Sequence, residues 1–390
     1  MEALDTGDGV TSVALGTASL LRELGEPGTI YARFVAGHER PGVEVAGAPE
    51  GASALARETQ PCRKVLGGPE GGLLFHFWNY NTSTWMVHAV HGRRAIYFHG
   101  ITPPRFFAPG SDLHRMTADG YAQLRSLVDS FDLIVGLSRD ALATVCGFLH
   151  RPRPALHMYP VVEPEDCRRA PVDAALLARL KSGGDVNLVF VGRIVRNKRQ
   201  DQLLRLFDRY HACNPRSRLF LVGNDSCDPG FRAELEQQRA ALRAPDRVTF
   251  TGKVSERALN AYLRGADVFV CATEHEAFCL PVAHAMALDV PVVALAATAV
   301  PETLGGGGVL VGRWDASAVA EIVEQLVRDR VRRARVIARQ QDALGRFSAR
   351  EVRARLAAIV DYLRDGTWSP LFAWSHALNE TSSGDSHAGA

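Results

Sequence analysis

The chain has 390 residues, with 45 Lys and Arg against 43 Asp and Glu, and this near-neutral balance gives no electrostatic footprint for nucleic acid. The length exceeds one ordinary core and predicts two domains of about 150–200 residues. No apolar run approaches the roughly 20 residues of a membrane span, and Met1–Gly9 lacks the basic and apolar regions of a signal peptide.

In chain order, a doubly wound domain would start on an apolar strand, so that strand is either shortened to about Met1–Leu4 or the start is truncated. Thr11–Leu24 has helical spacing and stops at Gly25. Strands are expected at Thr29–Ala32, Leu73–Phe77, Ala95–Phe98, Leu133–Leu137 and Leu156–Val161. Helices are expected near Thr82–His91, Leu113–Ser130 and Asp140–Phe148. Residues 35–70, rich in Gly, Pro, Ala and Glu, are poorly determined, and a linker falls near Pro160–Pro171.

The second half is clearer. Val186–Val191, Arg218–Val222, Val248–Thr251, Asp267–Cys271, Pro291–Leu295 and Val309–Val311 are short apolar runs that read as buried parallel strands. Gln200–Cys213, Phe231–Leu242, Glu256–Arg264, Val282–Leu288 and Ala316–Val327 lie between or after them with helical spacing. Leu203, Leu206, Phe207 and Tyr210 make one apolar face. Strict alternation of this kind is the mark of an α/β fold with doubly wound parallel sheets. A last helix, Ala349–Leu363, precedes a tail with Trp368, Phe372 and Trp374, and Thr381–Ala390 is expected to be disordered. Seven cysteines (62, 146, 167, 213, 227, 271, 279) include no Cys-x-x-Cys pair, a pattern of reduced thiols in a cytoplasmic protein.

Chemistry concentrates at strand ends. Thr273-Glu-His-Glu276-Ala-Phe-Cys279-Leu-Pro281 carries a carboxylate in a tight turn, and Pro281 then opens a helix. Such a turn after a parallel strand is where open α/β sheets bind ligands, and its unpaired N–H groups favour an anion. Val191-Gly192-Arg193-Ile-Val-Arg-Asn-Lys198 places two cations five residues apart after another strand, able to converge on one phosphate. Taken alone, that run reads equally as a surface loop. Ala95-Ile-Tyr-Phe-His99-Gly100-Ile-Thr-Pro-Pro104 ends a strand in His and Gly, where a structural histidine is the plainer reading.

Together these segments resemble family 4 of the GT-B retaining glycosyltransferases, the glycosyl transferases group 1, over about Val186–Leu326 and more weakly before it. The family writes Gly-Arg-x4-Lys at Gly192, Arg193 and Lys198, and Glu-x7-Glu from Glu276. The resemblance implies two Rossmann-like domains facing a cleft, residues 1–163 on the acceptor side and 172–347 binding a nucleotide sugar. A crossover helix at 348–366 would return to the first domain, with a partly disordered tail at 367–390. Arg193 and Lys198 would hold the donor diphosphate, with the amides of Phe278, Cys279 and Leu280. Glu276 would accept from the donor sugar's hydroxyls, and His99 would face that sugar. The base would lie against Gly252–Val254, hence Lys253 and Val254. Gly9 (with Gly7 and Asp8), His76, Asn79 to Asn81 and Gly100 are acceptor-side candidates.

Four positions depart from the family, the first being Ala277 in place of a glycine. Cys279 and Ala299 replace glycines, and a positive φ would be harder to hold at Cys279. His284 replaces the second Glu of the signature. It is open to three readings: a changed ribose contact, a different donor or an imidazolium facing phosphate, and loss of donor binding. Glu302, in Thr298-Ala-Val-Pro-Glu302, belongs to a family-like loop or caps a helix.

The resemblance implies a retaining transfer. No Asp-x-Asp pair suggests a metal, so a metal-independent reaction without cofactor is expected, the nucleotide sugar being co-substrate. Residues 1–160 hold 14 Lys and Arg against 15 Asp and Glu, without a basic amphipathic helix. A soluble acceptor is therefore favoured over a lipid, and membrane association is not expected. A GT-B nucleotide-sugar epimerase and a degenerate partner protein are the competing readings.

Overall fold

The computed structural model describes residues 3–4, 9–26, 30–32, 34–35, 43–45 and 72–377, and its contacts fall into two compact units. One comprises residues 1–161 and 349–390, the other residues 162–348.

In the first unit, Leu73–Phe77, Arg94–Phe98, Leu133–Gly136 and Pro154–His157 pair in parallel in that order. Strand 133–136 is buried throughout and 94–98 is buried from Ala95 on, so both read as continuous apolar runs, as strands covered on both faces must. Ser111 and Ser138 accept N–H bonds at the starts of helices Asp112–Leu127 and Arg139–Cys146, which fixes where those segments leave the sheet. Ala3–Leu4 pairs with Phe34–Val35, and Ile30–Ala32 with Val43–Val45. Thr29, Gly7, Asp8, Cys62, most of the 35–70 loop and Thr381–Ala390 lie outside the described residues.

The expected strand Leu156–Val161 is displaced. It runs Pro154–His157, and one further bond, from Met158 N–H to Gly136 O, ends the pairing before Pro160, which has no N–H to donate. The stretch read as a linker contains helix Pro164–Arg169, whose first residue is a proline. Helix Ala174–Lys181, capped by Asp173, and helix Arg330–Leu344 complete what the sequence pattern left unassigned.

The second unit holds a six-stranded parallel sheet. Its strands are, in sequence, Val186–Val191, Ser217–Val222, Val248–Gly252, Val268–Cys271, Val292–Leu295 and Val309–Val311. Their spatial order is third, second, first, fourth, fifth, sixth. Leu203, Leu206, Phe207 and Tyr210 are all buried on helix Gln200–Cys213. At the unit's ends, Val162 N–H donates to Phe347 O at 2.9 Å, so its first and last residues adjoin.

After residue 348 the chain rejoins the first unit. Helix Ala349–Asp365 buries Val352, Leu356 and Ile359, and Tyr362 Oη donates to Asp132 O at 3.2 Å. Ala373–Trp374 then closes the edge of the first sheet, antiparallel to Pro154–Ala155.

Candidate active site

Strand order dictates where the second unit can bind a ligand. The first and fourth strands are neighbours, and their following loops leave the sheet on either side of the point where the order reverses. A crevice opens at such a switch point. Lys198 follows the first strand and Glu276 the fourth, and Lys198 Nζ donates to Glu276 Oε1 at 2.5 Å. Both side chains are mostly covered, at 15% and 12% exposed.

The two loops are stitched together. Glu274 N–H donates to Asn197 O at 2.9 Å, and Asn197 Nδ2 donates to His275 O at 3.1 Å. Arg199, held at φ 52° between the 196–198 turn and the next helix, pairs with Glu274 and with Asp201. On the other side, Thr298 Oγ1 accepts from Glu276 N–H and donates to Glu276 O, both at 2.8 Å. Thr303 Oγ1 donates to Phe278 O, and Phe278 packs edge-on against Phe347. Sequence reasoning passed over Asn197, Arg199 and Gly223. The last has a signal, a glycine at a strand end: its φ is 145°, and a Cβ there would meet Gly192 O at 2.2 Å.

Cys279 takes φ 70° and ψ 64° at the N-cap of helix Leu280–Ala287. The conformation expected to be hard to hold is held, at a cost of about 1–2 kcal/mol for a residue with a Cβ. Its carbonyl accepts from Val282 and Ala283 N–H at 3.0 and 3.4 Å, so the helix begins cleanly. Among the described residues no backbone acceptor takes the N–H of Cys279 or Leu280. These donors and the helix N-terminus make a local anion site. His284 lies four residues into the helix on the face of Leu280. Burial pushes its pKa down to about 4. The ring is therefore neutral near pH 7 with no anion beside it, which weighs against the imidazolium reading.

Arg193 is exposed on the loop between Gly192 and Lys198, and no side-chain partner among the described residues engages its guanidinium. Lys253 is exposed and Val254 half-buried just past the third strand. Gly192, Gly223 and Gly252 are tied at the ends of the first three strands by bonds from Gly192 N–H to Val222 O and from Gly223 N–H to Gly252 O. Glu302 lies in the first turn of helix Val300–Leu304, and its carbonyl accepts from Arg346 Nη1.

In the first unit, parallel register sets His76 beside Tyr97, one residue before the paired ends Phe77 and Phe98. His99 N–H donates to Phe77 O, and His76 Nδ1 lies 2.9 Å from His99 Nε2. Burial pushes the His99 pKa down to about 3. His76 is held well below the usual range, first by burial and then by His99. Both rings are neutral near pH 7, so one donates to the other. His99 Nδ1 is buried without a partner among the described residues, and Gly100 follows at φ 81°. Asn79 Oδ1 accepts from Tyr80 N–H, and Asn81 Oδ1 from Ser83 N–H, so both side-chain oxygens serve their own turn. Gly9 is exposed at the start of helix Gly9–Glu23.

Residues 178–342 match the family described as Glycosyl transferases group 1. Over 168 residues the chain is 33% identical to a D-inositol 3-phosphate glycosyltransferase of Stackebrandtia nassauensis, covering 41% of this chain and 38% of that protein. To the protein of the same description from Xylanimonas cellulosilytica it is 27% identical over 301 residues, covering 72% and 69%. The fold is similar to that of Anabaena HepE in complex with UDP-glucose, with a TM-score of 0.69 at 16% identity over 93% of this chain and 98% of that one. The chain has the two Rossmann-like α/β units of the GT-B fold.

Proposed function

Given that its second unit belongs to Glycosyl transferases group 1, we propose that this chain moves a sugar from a nucleoside-diphosphate donor to a small hydroxylated acceptor. The observation that carries the reading is the Lys198–Glu276 pair across the switch point of the sheet. An ammonium and a carboxylate held together there match a diphosphate sugar, which offers anionic oxygens and hydroxyl donors side by side.

On this reading Lys198 and Arg193 turn to the diphosphate. The N–H groups of Cys279 and Leu280 add fixed dipoles from the helix start. These donors are aimed where negative charge grows as the glycosidic bond breaks, the largest source of catalysis in such transfers. Glu276, released from Lys198, accepts from sugar hydroxyls. Because protein cations meet the leaving-group charge, the reaction is metal-independent. The leaving phosphate takes the acceptor's proton on the face it departs from, so configuration is retained. His284 supplies one neutral ring nitrogen to the ribose, where a carboxylate would accept several bonds. Lys253 and Val254 flank the base, and His99, oriented by His76, presents the donor-sugar contact of the first unit, with Gly9, Asn79 and Gly100 on the acceptor side.

The soluble acceptor rests on two supports. Residues 1–160 are near neutral, and the described helices include none long and apolar enough to cross a membrane. The relatives' name, which specifies an inositol phosphate, suggests a phosphorylated polyol as first trial acceptor. The test is a thermal-shift panel of UDP, GDP, ADP, CDP and TDP, followed by turnover with the matching sugars, since a ligand bound only by the folded state must stabilise it. One nucleotide is expected to shift the transition. No shift with any of the five would overturn the proposal.

A further inference from the structure

The donor-side turn contains a second constellation, built on two thiols that the proposed transfer does not use. Cys271 ends the fourth strand, Cys279 caps the following helix, and Glu276 lies between them. The two sulfurs and a Glu276 carboxylate oxygen all lie within 4.8 Å of one another. Both cysteines are buried. They stand eight positions apart in sequence, with Cys279 held in an αL conformation at φ 70°.

We propose that Cys271, Cys279 and Glu276 form a binding site for a thiophilic divalent cation of the zinc class. A tetrahedral zinc ion with Zn–S of about 2.3 Å sets two sulfurs about 3.8 Å apart, a spacing this cluster reaches with shifts of an ångström or less. Charge favours the site as well. Two thiolates and a carboxylate carry three negative charges, the cation returns two, and the Lys198 ammonium 2.5 Å from Glu276 balances the last. Thr273 stands behind the sulfur, its hydroxyl 3.4 Å from Cys271 Sγ, placed to support the thiolate as outer groups do in metal sites. Binding forms two metal–sulfur bonds and one metal–oxygen bond and releases both thiol protons to solvent. The fourth position stays open to water. Occupancy draws Glu276 toward the metal and away from any sugar, so the cation acts as an inhibitor of this turn rather than as a cofactor.

The site is read directly by titrating the full chain with Cd²⁺ alone, kept reduced by a phosphine, and following thiolate-to-metal charge-transfer absorption. The other cysteines make a control necessary, and Cys279→Gly supplies it, because glycine suits φ 70° and leaves the turn able to fold. Wild type is expected to bind one tight equivalent with the intensity of two thiolates, releasing about two protons per cation. In Cys279→Gly the tight equivalent weakens more than about 100-fold, beyond the 10–100-fold typical of changes outside the ligand set. Cys271→Ala should do the same. Absence of a tight thiolate-bearing equivalent in wild type, or its persistence in both variants, would overturn the proposal. Neither result depends on whether any nucleotide binds.

Discussion

Replacing Glu276 by Gln and Lys198 by Ala should move nucleoside-diphosphate affinity in opposite directions. In the structure the two side chains neutralise each other at 2.5 Å, 15% and 12% exposed, a setting between an open surface and a closed core. Exposed pairs are worth about 0.2–1 kcal/mol, and breaking fully buried ones costs about 3–5 kcal/mol, so about 1 kcal/mol is a conservative value for this pair. A phosphate must displace Glu276 to reach Lys198, and that energy opposes binding. Glu276→Gln removes the competitor and should tighten binding of the diphosphate without its sugar by about fivefold. Lys198→Ala loses a charge-assisted bond worth about 1.5–3 kcal/mol and leaves a carboxylate facing the phosphate, so it should weaken binding at least 10-fold. Calorimetric titration with the nucleotide selected by thermal shift measures both. Equal weakening in the two variants would refute the idea that the pair holds Lys198 in reserve.

Turnover of the sugar donor should fall by roughly 100-fold in Lys198→Ala, the scale of one preorganised transition-state donor, and steady-state kinetics with wild type alongside will show it. His284→Glu restores several acceptor positions for ribose hydroxyls; donor affinity should rise, and unchanged affinity and donor choice would make the substitution incidental. Gly223→Ala forces a Cβ to within 2.2 Å of Gly192 O at φ 145° and should cost about 1–3 kcal/mol in urea unfolding. Stability should also fall with acid. The folded pKa values of His284 (about 4) and His99 (about 3) lie below the unfolded 6.5, so the unfolded chain binds more protons once pH drops below 6.5. The stability is fully present above 6.5 and lost toward pH 4 and 3 respectively, about 2 kcal/mol per histidine by pH 5. His284→Gln should flatten the urea-midpoint profile between pH 6.5 and 5, and an unaltered profile would remove that ring from the account.

The inner strands of the second sheet were legible because a parallel strand buried on both faces must be a short apolar run, as Val186–Val191 and Val268–Cys271 are. The expected burial fails at the edge strands Val248–Gly252 and Val309–Val311, which have a neighbour on one side only and are mostly not buried. Helix Arg330–Leu344 was not, since RVRRARVIARQQDAL buries only Gln340, Ala343 and Leu344 and shows no apolar stripe. Pro164 looked like part of a linker because proline breaks helices, yet at the first helical position it starts one. Within the site, the family resemblance implied Lys198 and Glu276 as ligands of one donor. Their direct pairing needed the strand order, which places residues 78 positions apart on facing loops. The Cys271–Cys279 proximity and the His76–His99 bond were hidden for a related reason: one lies across a turn with a φ that no cysteine advertises, the other depends on which two strands are neighbours.

The chain's return to its first sheet has a bearing on synthesis. The second unit is one continuous run whose ends adjoin through Val162 and Phe347, so everything it needs has been made once residue 348 leaves the ribosome. The first unit begins earlier yet waits longer, because helix Ala349–Asp365 and the edge strand Ala373–Trp374 are translated after the second unit. Until then Pro154–His157 presents an open strand edge, the kind that pairs with other chains. The later-made domain can thus be complete before the earlier one, and the segment from Ala349 to Trp374 acts as the closure of a structure whose other parts have long been in place.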